Sequence, residues 1–493
     1  MGFGRVDLVI VVVYLAGVTA LGAYFRRHQT TLHDYFLGGR TVPWWAIALS
    51  LVATETSTLT IVGTPALAYG SNLAFLQLVF GYILARFIIS FLLLPQYFAG
   101  RLFTAYQVIE QRFGALTRRL AAGLFLVTRA LADGVRIWAI AIVVQLVLPR
   151  VLHLFTGERG PVAEVSAVVV VMALTLVYTF LGGMKAVIWT DVVQFCLYLG
   201  GGAFALYSLL QQIPGGWHTV STLAGHKLAV FDFSFAWDRS YTFWAGILGG
   251  TFLTLASHGT DQLMVQRLLA ARNLRDSRRA LIASGFLVFI QFLLFLVIGV
   301  VLYVFYSSGA ASPTTAFESA DRIFPHFMVN YLPTGVSGLM VAGVLAAAMS
   351  TSSSSLNSLA ASTVVDFYLP WRGASHDPAA LLRLSRWVTV VWGGVLTGLA
   401  LLARGWGPVL EAGLTIASIT YGALLGLFLL GRLAPRATST GAAVGMLVGL
   451  AAMIGAKFFT SLAWTFYVLV GTSITFVVGW LVSRLLPALG RED

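Results

Sequence analysis

Ala347-Ala-Met-Ser-Thr-Ser-Ser-Ser-Ser-Leu-Asn-Ser358 runs directly into Leu359-Ala-Ala-Ser-Thr-Val-Val-Asp366, a dense run of hydroxyls in a chain otherwise apolar enough to live in lipid. In hydrocarbon a hydroxyl needs a partner. A helical period places Ser350, Ser353, Ser354 and Asn357 on one face, at i, i+3, i+4 and i+7. Two readings follow. Small residues let membrane helices pack closely, and hydroxyl and carbonyl oxygens are the ligands a small hard cation takes.

The rest of the 493-residue chain sets the class. Hydrophobic residues make up 58% and charged residues 10%, and the mean hydropathy is +0.86, values that fit a polytopic membrane protein and no soluble globular average. The net charge of +12 does not point to nucleic acid, because the basic residues sit in short segments between apolar stretches. Cys196 is the single cysteine, which excludes an intrachain disulfide or a cysteine metal site. Runs of roughly 20 apolar residues predict thirteen spans: 6–25, 44–70, 72–98, 120–148, 163–184, 187–211, 241–265, 280–306, 335–366, 382–403, 408–431, 439–458 and 463–485. The first lacks a basic leader and a cleavage pattern, so it reads as a retained helix.

With the loop after the first span inside, 20 of the 31 basic residues fall in inner segments and 8 in outer ones. The positive-inside rule then puts the N-terminus outside and the C-terminus in the cytoplasm. The basic segment 266–279 reads as a solvated inner loop. No Asn-x-Ser/Thr sequon occurs, which leans toward a bacterial inner membrane. The longest loops, 212–240 and 307–334, are too short for a soluble domain, so the expectation is one transmembrane domain with no enzyme, kinase or output module.

Ionisable groups inside the spans are the next signal, since at that depth they face a cavity or a partner. Glu55 and Asp191 stand in apolar runs, and Arg129, Asp133 and Arg136 share one helix. Asp133 is spaced to neutralise Arg129, but one carboxylate cannot neutralise two guanidiniums. Arg86 reads as a side chain that snorkels toward the inner face, and His258 as a lone structural histidine. Ala53-Thr-Glu-Thr-Ser-Thr-Leu-Thr60 is followed by Pro65, which predicts a break near the proline, with freed carbonyls facing a cavity. Broken helices of that kind hold sodium in inverted-repeat transporters.

Five segments carry a resemblance over nearly the whole chain: Phe36-Leu-Gly-Gly-Arg40; Ala53-Thr-Glu-Thr-Ser57; Tyr178-Thr-Phe-Leu-Gly-Gly-Met-Lys-Ala-Val-Ile-Trp-Thr-Asp-Val-Val-Gln194; Asp261-Gln-Leu-Met-Val-Gln-Arg267; and 347–366. In this order they resemble the sodium/solute symporter family, which includes sodium/glucose, sodium/proline and sodium/sialic acid symporters. The resemblance implies an all-α, leucine-transporter-like core of two inverted five-helix repeats, residues 44–211 and 241–431, with an extra N-terminal helix at 6–25 and two C-terminal helices within 439–485. It implies a principal sodium site from the carbonyls of Ala53, Thr56 and Ala347 and the hydroxyls of Ser350 and Thr351. A second sodium would fall on Asp191 with Ser350, Ser353 and Ser354, Asp191 having no Lys or Arg near it in sequence except Lys185. The substrate cavity would draw on Glu55, Ser57, Thr60, Gln77, Arg136, Asp261 and Gln262. Asp261 replaces an asparagine of sugar-transporting members, and Glu55 a neutral residue of sugar and sialate carriers.

The function expected on this basis is sodium-coupled uptake by alternating access. If Glu55 and Asp133 offset Arg136, the hydroxyls of Ser57 and Thr60 and the amide of Gln77 dominate, favouring a neutral sugar or polyol. The alternative is a small carboxylate or amino acid gripped by Arg136. A channel would repeat its filter by symmetry, and one asymmetric hydroxyl helix beside one broken helix does not. A membrane-embedded enzyme would need a metal or acid/base constellation, and no such spacing occurs.

Overall fold

The computed structural model describes residues 3–25, 31–99, 102–152, 161–307, 320–372, 378–403 and 409–486. These residues are helical almost throughout, and the only extended pairing among them is an isolated bridge between Val42 and Ala271. The principal helices are α1 (Arg5–Tyr24), α2 (Trp44–Glu55), α3 (Thr58–Gly70), α4 (Leu76–Leu92), α5 (Tyr106–Leu152), α6 (Pro161–Gln212), α7 (Gly250–Gly259), α8 (Gln262–Leu269), α9 (Leu274–Ser307), α10 (Val336–Ser362), α11 (Pro378–Leu402), α12 (Val409–Leu433), α13 (Ser439–Phe459) and α14 (Tyr467–Leu485). Seven helical spans among the described residues are long and apolar enough to cross a membrane, and the bent pair α2/α3 makes an eighth. Thirteen spans, as hydropathy predicts, are therefore not all established by length and composition; α4, for one, falls short of a full span.

Two breaks position the site. α2 stops at Glu55, Thr56 and Ser57 turn extended (ψ 101° and 174°), and the chain resumes as α3 at an angle of 60°. The break thus lies at Thr56–Ser57 and not at Pro65, which sits inside α3. The proline instead marks a close approach: a side chain on Gly299 of α9 would collide with the Pro65 carbonyl. The second break follows α7, where Asp261 is extended (φ −79°, ψ 126°) and caps α8 by accepting the Leu263 N–H at 2.8 Å. In α6, Gly183 at φ 53° and ψ −158° splits the helix, a left-handed step that glycine takes without penalty. It falls between the expected spans 163–184 and 187–211.

α10 is nearly all buried and packs chiefly on α6, α1 and α5. Its first turn begins at Gly335, which has no side chain to cap it. The cap comes from α1: the buried Asp7 carboxylate accepts from Gly335 N at 2.7 Å and Gly338 N at 2.6 Å, while its other oxygen accepts from Gly4 N at 2.8 Å. At its other end α10 widens into a π-helical segment, Thr363–Tyr368. There buried Asp366 accepts from Arg118 Nε (2.9 Å), Thr104 (2.7 Å) and Ser362 (2.7 Å), which ties α10 to the start of α5.

Candidate functional site

A helix that stops abruptly leaves its last carbonyls without intrahelical donors. Thr56 N–H still reaches Val52 O at 2.9 Å, so the carbonyls freed by the break begin at Ala53. α10 lies against them. Thr351 Oγ1 is 3.5 Å from Thr54 O and 3.1 Å from Ala347 O, and Thr54 Oγ1 is 3.4 Å from Ser354 Oγ. Ser350 donates to Asp191 Oδ1 at 2.6 Å. With its proton held there, the Ser350 oxygen keeps lone pairs for another partner. The structure therefore sets Thr351 and Ser354 of α10 against Thr54 at the break, beside Ala53 in sequence, while the Thr56 side chain turns to Val52 O and Gln291.

The second expected ion cluster is altered by a residue distant in sequence. Asp191 Oδ2 pairs with Arg267 Nη2 at 3.1 Å, both side chains being fully buried. The same carboxylate accepts from Ser50 at 2.5 Å and lies 3.4 Å from Thr54 Oγ1. Arg267 also donates to Ser50 (2.9 Å), to Leu263 O (2.9 Å) and to Ser354. Ser353 turns back on its own helix to Ser350 O at 3.0 Å and makes no bond to Asp191. The expectation that Asp191 lacks a basic neighbour is corrected: Arg267 supplies the charge that a second sodium was expected to bring.

Beyond the break a cavity opens, lined by Glu55, Ser57, Thr60, Arg129, Arg136, His258 and Asp261, with Phe75, Tyr82, Phe292 and Tyr421 among its aromatic walls. Five of the seven expected substrate residues are in this lining. Gln77 and Gln262 are not, because their amides are spent on backbone. Gln77 donates to Ala74 O and Tyr241 O, both at 3.1 Å, and accepts from Asp232 N at 3.0 Å. Gln262 accepts from Ala105 N at 2.8 Å and donates to Phe103 O at 3.0 Å.

The charges in the cavity are unequally satisfied. Arg129 takes both oxygens of Asp133, through Nε at 2.6 Å and through Nη2, and its Nη1 lies 3.7 Å from Asp261. Tyr421 donates to Asp261 at 2.6 Å. Among the described residues Arg136 is left with one shared contact, Nη1 to Asp133 Oδ1 at 3.3 Å, and its side chain is 19% exposed. Its buried Nε has no hydrogen-bond partner among the described residues. Glu55 is paired with Arg86, which also bonds Ser284 and His258. Arg86 is fully buried and does not snorkel, and His258 belongs to the cavity wall. The sequence signal for both was present: an arginine in mid-span, and a histidine three residues before Asp261.

A family model described as the sodium:solute symporter family matches residues 35–449. The chain belongs to that family. This sodium:solute symporter is 29% identical over 489 residues to a sodium/sialic acid symporter of Proteus mirabilis, covering 98% of this chain and 96% of that one. It is 31% identical over 452 residues to the human sodium-coupled monocarboxylate transporter 1, covering 90% and 72%. Its fold matches a solved Na⁺-coupled sialic acid symporter in a substrate-bound outward-open state, with a TM-score of 0.87, 27% identity and 98% of both chains covered. It is therefore a multi-pass membrane transporter that couples a small solute to sodium, and not an enzyme.

Proposed function

We propose that this symporter takes up a small carboxylate-bearing solute together with sodium by alternating access. The observation that carries this reading is Arg136, a guanidinium on the cavity wall that among the described residues has a single shared contact and an unpartnered Nε. A guanidinium in a low-dielectric site binds carboxylate through paired hydrogen bonds. The neutral sugar or polyol expected from sequence assumed that Glu55 and Asp133 would offset Arg136. Instead Glu55 is engaged by Arg86 and Asp133 mainly by Arg129, so neither is free to do so. The relatives support the change, since sialic acid and monocarboxylates, named for them, are both carboxylates.

The sodium ligands of this proposal are the carbonyls of Ala53, Thr56 and Ala347 with the hydroxyls of Ser350 and Thr351; Ser57 and Thr60 add polar contacts to the solute, and Asp261 holds the wall through Tyr421 and Arg129. One sodium per cycle is favoured, because Asp191 already faces Arg267. Thirteen spans, the N-terminus outside and repeats at 44–211 and 241–431 complete the proposal. What supports the repeats is that each opens with a broken helix, at Thr56–Ser57 and at Asp261.

The test is thermal unfolding of the purified protein in sodium against potassium, with a panel of carboxylates, amino acids, sugars and polyols. A ligand of the native state raises apparent stability. Carboxylates are expected to stabilise only with sodium. Stabilisation by sugars or polyols and by no carboxylate would return the function to the neutral-solute reading.

A further inference from the structure

The wall formed by Glu55, Arg86, His258 and Ser257 joins α2, α4 and α7, and the carboxylate reading alone gives it no task. Arg86 Nη2 donates to Glu55 Oε2 and lies 3.1 Å from His258 Nε2. An arginine nitrogen only donates, so His258 Nε2 accepts and its proton sits on Nδ1. From there it donates to Ser257 Oγ at 2.9 Å. Arg86 is anchored from behind by Nε to Ser284 Oγ at 3.1 Å. Arg86 Nη2 and His258 thereby form a run of hydrogen bonds along the wall that fixes one carboxylate oxygen of Glu55, while Arg86 Nη1 has no partner among the described residues.

The other oxygen is different. Glu55 Oε1 takes no hydrogen bond among the described residues, and the side chain is 16% exposed where it lines the cavity. It is a fixed acceptor in need of a donor. The charge on Glu55 is already balanced by Arg86, so the donor need not be cationic.

We propose that Glu55 Oε1 reads a hydroxyl on the solute, making the substrate class a hydroxylated carboxylate and Glu55 a specificity-determining residue, with Arg86 and His258 as its positioning residues. This rests on the carboxylate reading above, with Arg136 at one pole and Glu55 at the other. The chemistry has a sharp corollary. In Glu55→Gln the amide oxygen must turn to Arg86, which only donates, and its NH₂ then faces the cavity. The acceptor becomes a donor, and the preference should pass from hydroxy acids to the corresponding oxo acids.

The experiment is competition for sodium-driven uptake, and sodium-dependent thermal shift, using matched sets of three to six carbons: each hydroxy acid, its oxo acid and its unsubstituted acid, lactate, pyruvate and propionate being the shortest. A hydrogen bond to a charged group predicts that wild type prefers the hydroxy member of at least one set by about tenfold or more. Glu55→Gln should reverse the order between hydroxy and oxo. Should that variant fail to fold, Glu55→Asp keeps the charge for Arg86 but withdraws the oxygen, and should lower the ratio of hydroxy to oxo acid. Equal binding of all members of every set by wild type overturns the hydroxyl proposal while leaving the carboxylate reading intact. A wild-type preference that survives unchanged in the Glu55 variant that folds shows that another group reads the hydroxyl and also overturns it. Failure of every carboxylate to bind overturns the parent reading.

Discussion

Two buried arginine–carboxylate pairs flank the same broken helix, and they are not equivalent. In Asp191–Arg267 both partners are sealed from solvent, and both oxygens of Asp191 are hydrogen-bonded, to Ser50 and Arg267 on one side and Ser350 on the other. In Glu55–Arg86 the arginine is equally buried, but the carboxylate reaches the cavity with one oxygen unused. Burial of an ion pair therefore does not identify a functional site. An unmet hydrogen-bonding capacity facing a cavity does, and Arg136 meets the same criterion from the opposite sign.

The sealed pair should be the more costly to break. Arg267→Met strands a carboxylate in the protein interior, a loss of roughly 3–5 kcal/mol, read as a fall in thermal stability of the purified protein. Combining it with Asp191→Leu should recover most of that loss. A single variant as stable as wild type would mean that Asp191 has another counter-charge, and the comparison would fail at its base.

Next in size is the sodium cage. Ser350→Ala with Thr351→Ala removes two hydroxyl ligands, and two lost ligands at roughly 1.5 kcal/mol each raise the sodium concentration for half-maximal uptake about a hundredfold. Uptake measured across a sodium series in membrane vesicles decides this, with surface expression as the control. Wild-type sodium dependence in the double variant would place the ion elsewhere.

A third measurement sharpens the contrast through charge. Moving one elementary charge inward is worth about 2.3 kcal/mol per 100 mV. One sodium carried with a monocarboxylate moves no net charge, so uptake into proteoliposomes should respond little to an imposed potassium diffusion potential. If Arg267 does not stand in for a second ion, two sodiums enter with each anion, and an inside-negative potential accelerates uptake. The smallest effect belongs to Gln77. Its amide ties α4 to the segment containing Asp232 and Tyr241, so Gln77→Ala should cost about 1–3 kcal/mol of stability and leave solute affinity unchanged. A large rise in KM would restore it to the substrate site.

Much of this was legible before any coordinates. The hydroxyl run marked α10 because polar side chains at helical spacing cannot be left facing lipid. The charge count around Asp133 showed that one carboxylate cannot neutralise two guanidiniums, but setting Glu55 against Arg136 hid that Glu55 is engaged by Arg86 instead. What was not legible was pairing between helices. Arg267 meets Asp191 across 76 residues and Arg86 meets Glu55 across 31, and periodicity along one helix is silent about which helix lies opposite. Pro65 drew attention away from Thr56–Ser57 because proline is a strong local signal, whereas the actual break is held by tertiary contacts, Thr56 Oγ1 lying 2.6 Å from Gln291 Oε1. Gln77 and Gln262 were misread for a related cause: an amide in a span has the same sequence signature whether it meets a solute or a loop backbone.

The Asp7 cap has a mechanical consequence. The helix that carries the hydroxyl run borrows the lid of its first turn from α1, so the peripheral helix acts as a splint on the most polar helix of the bundle. Trimming the chain to a minimal ten-helix core would remove that splint and leave two backbone amides bare, that of Gly338 buried. During the transport cycle α1 and the N-terminal end of α10 should travel as one rod. A pair of spectroscopic labels on them would keep its spacing while each moves relative to α4, which makes the N-terminal helix a convenient external handle on an otherwise inaccessible moving part.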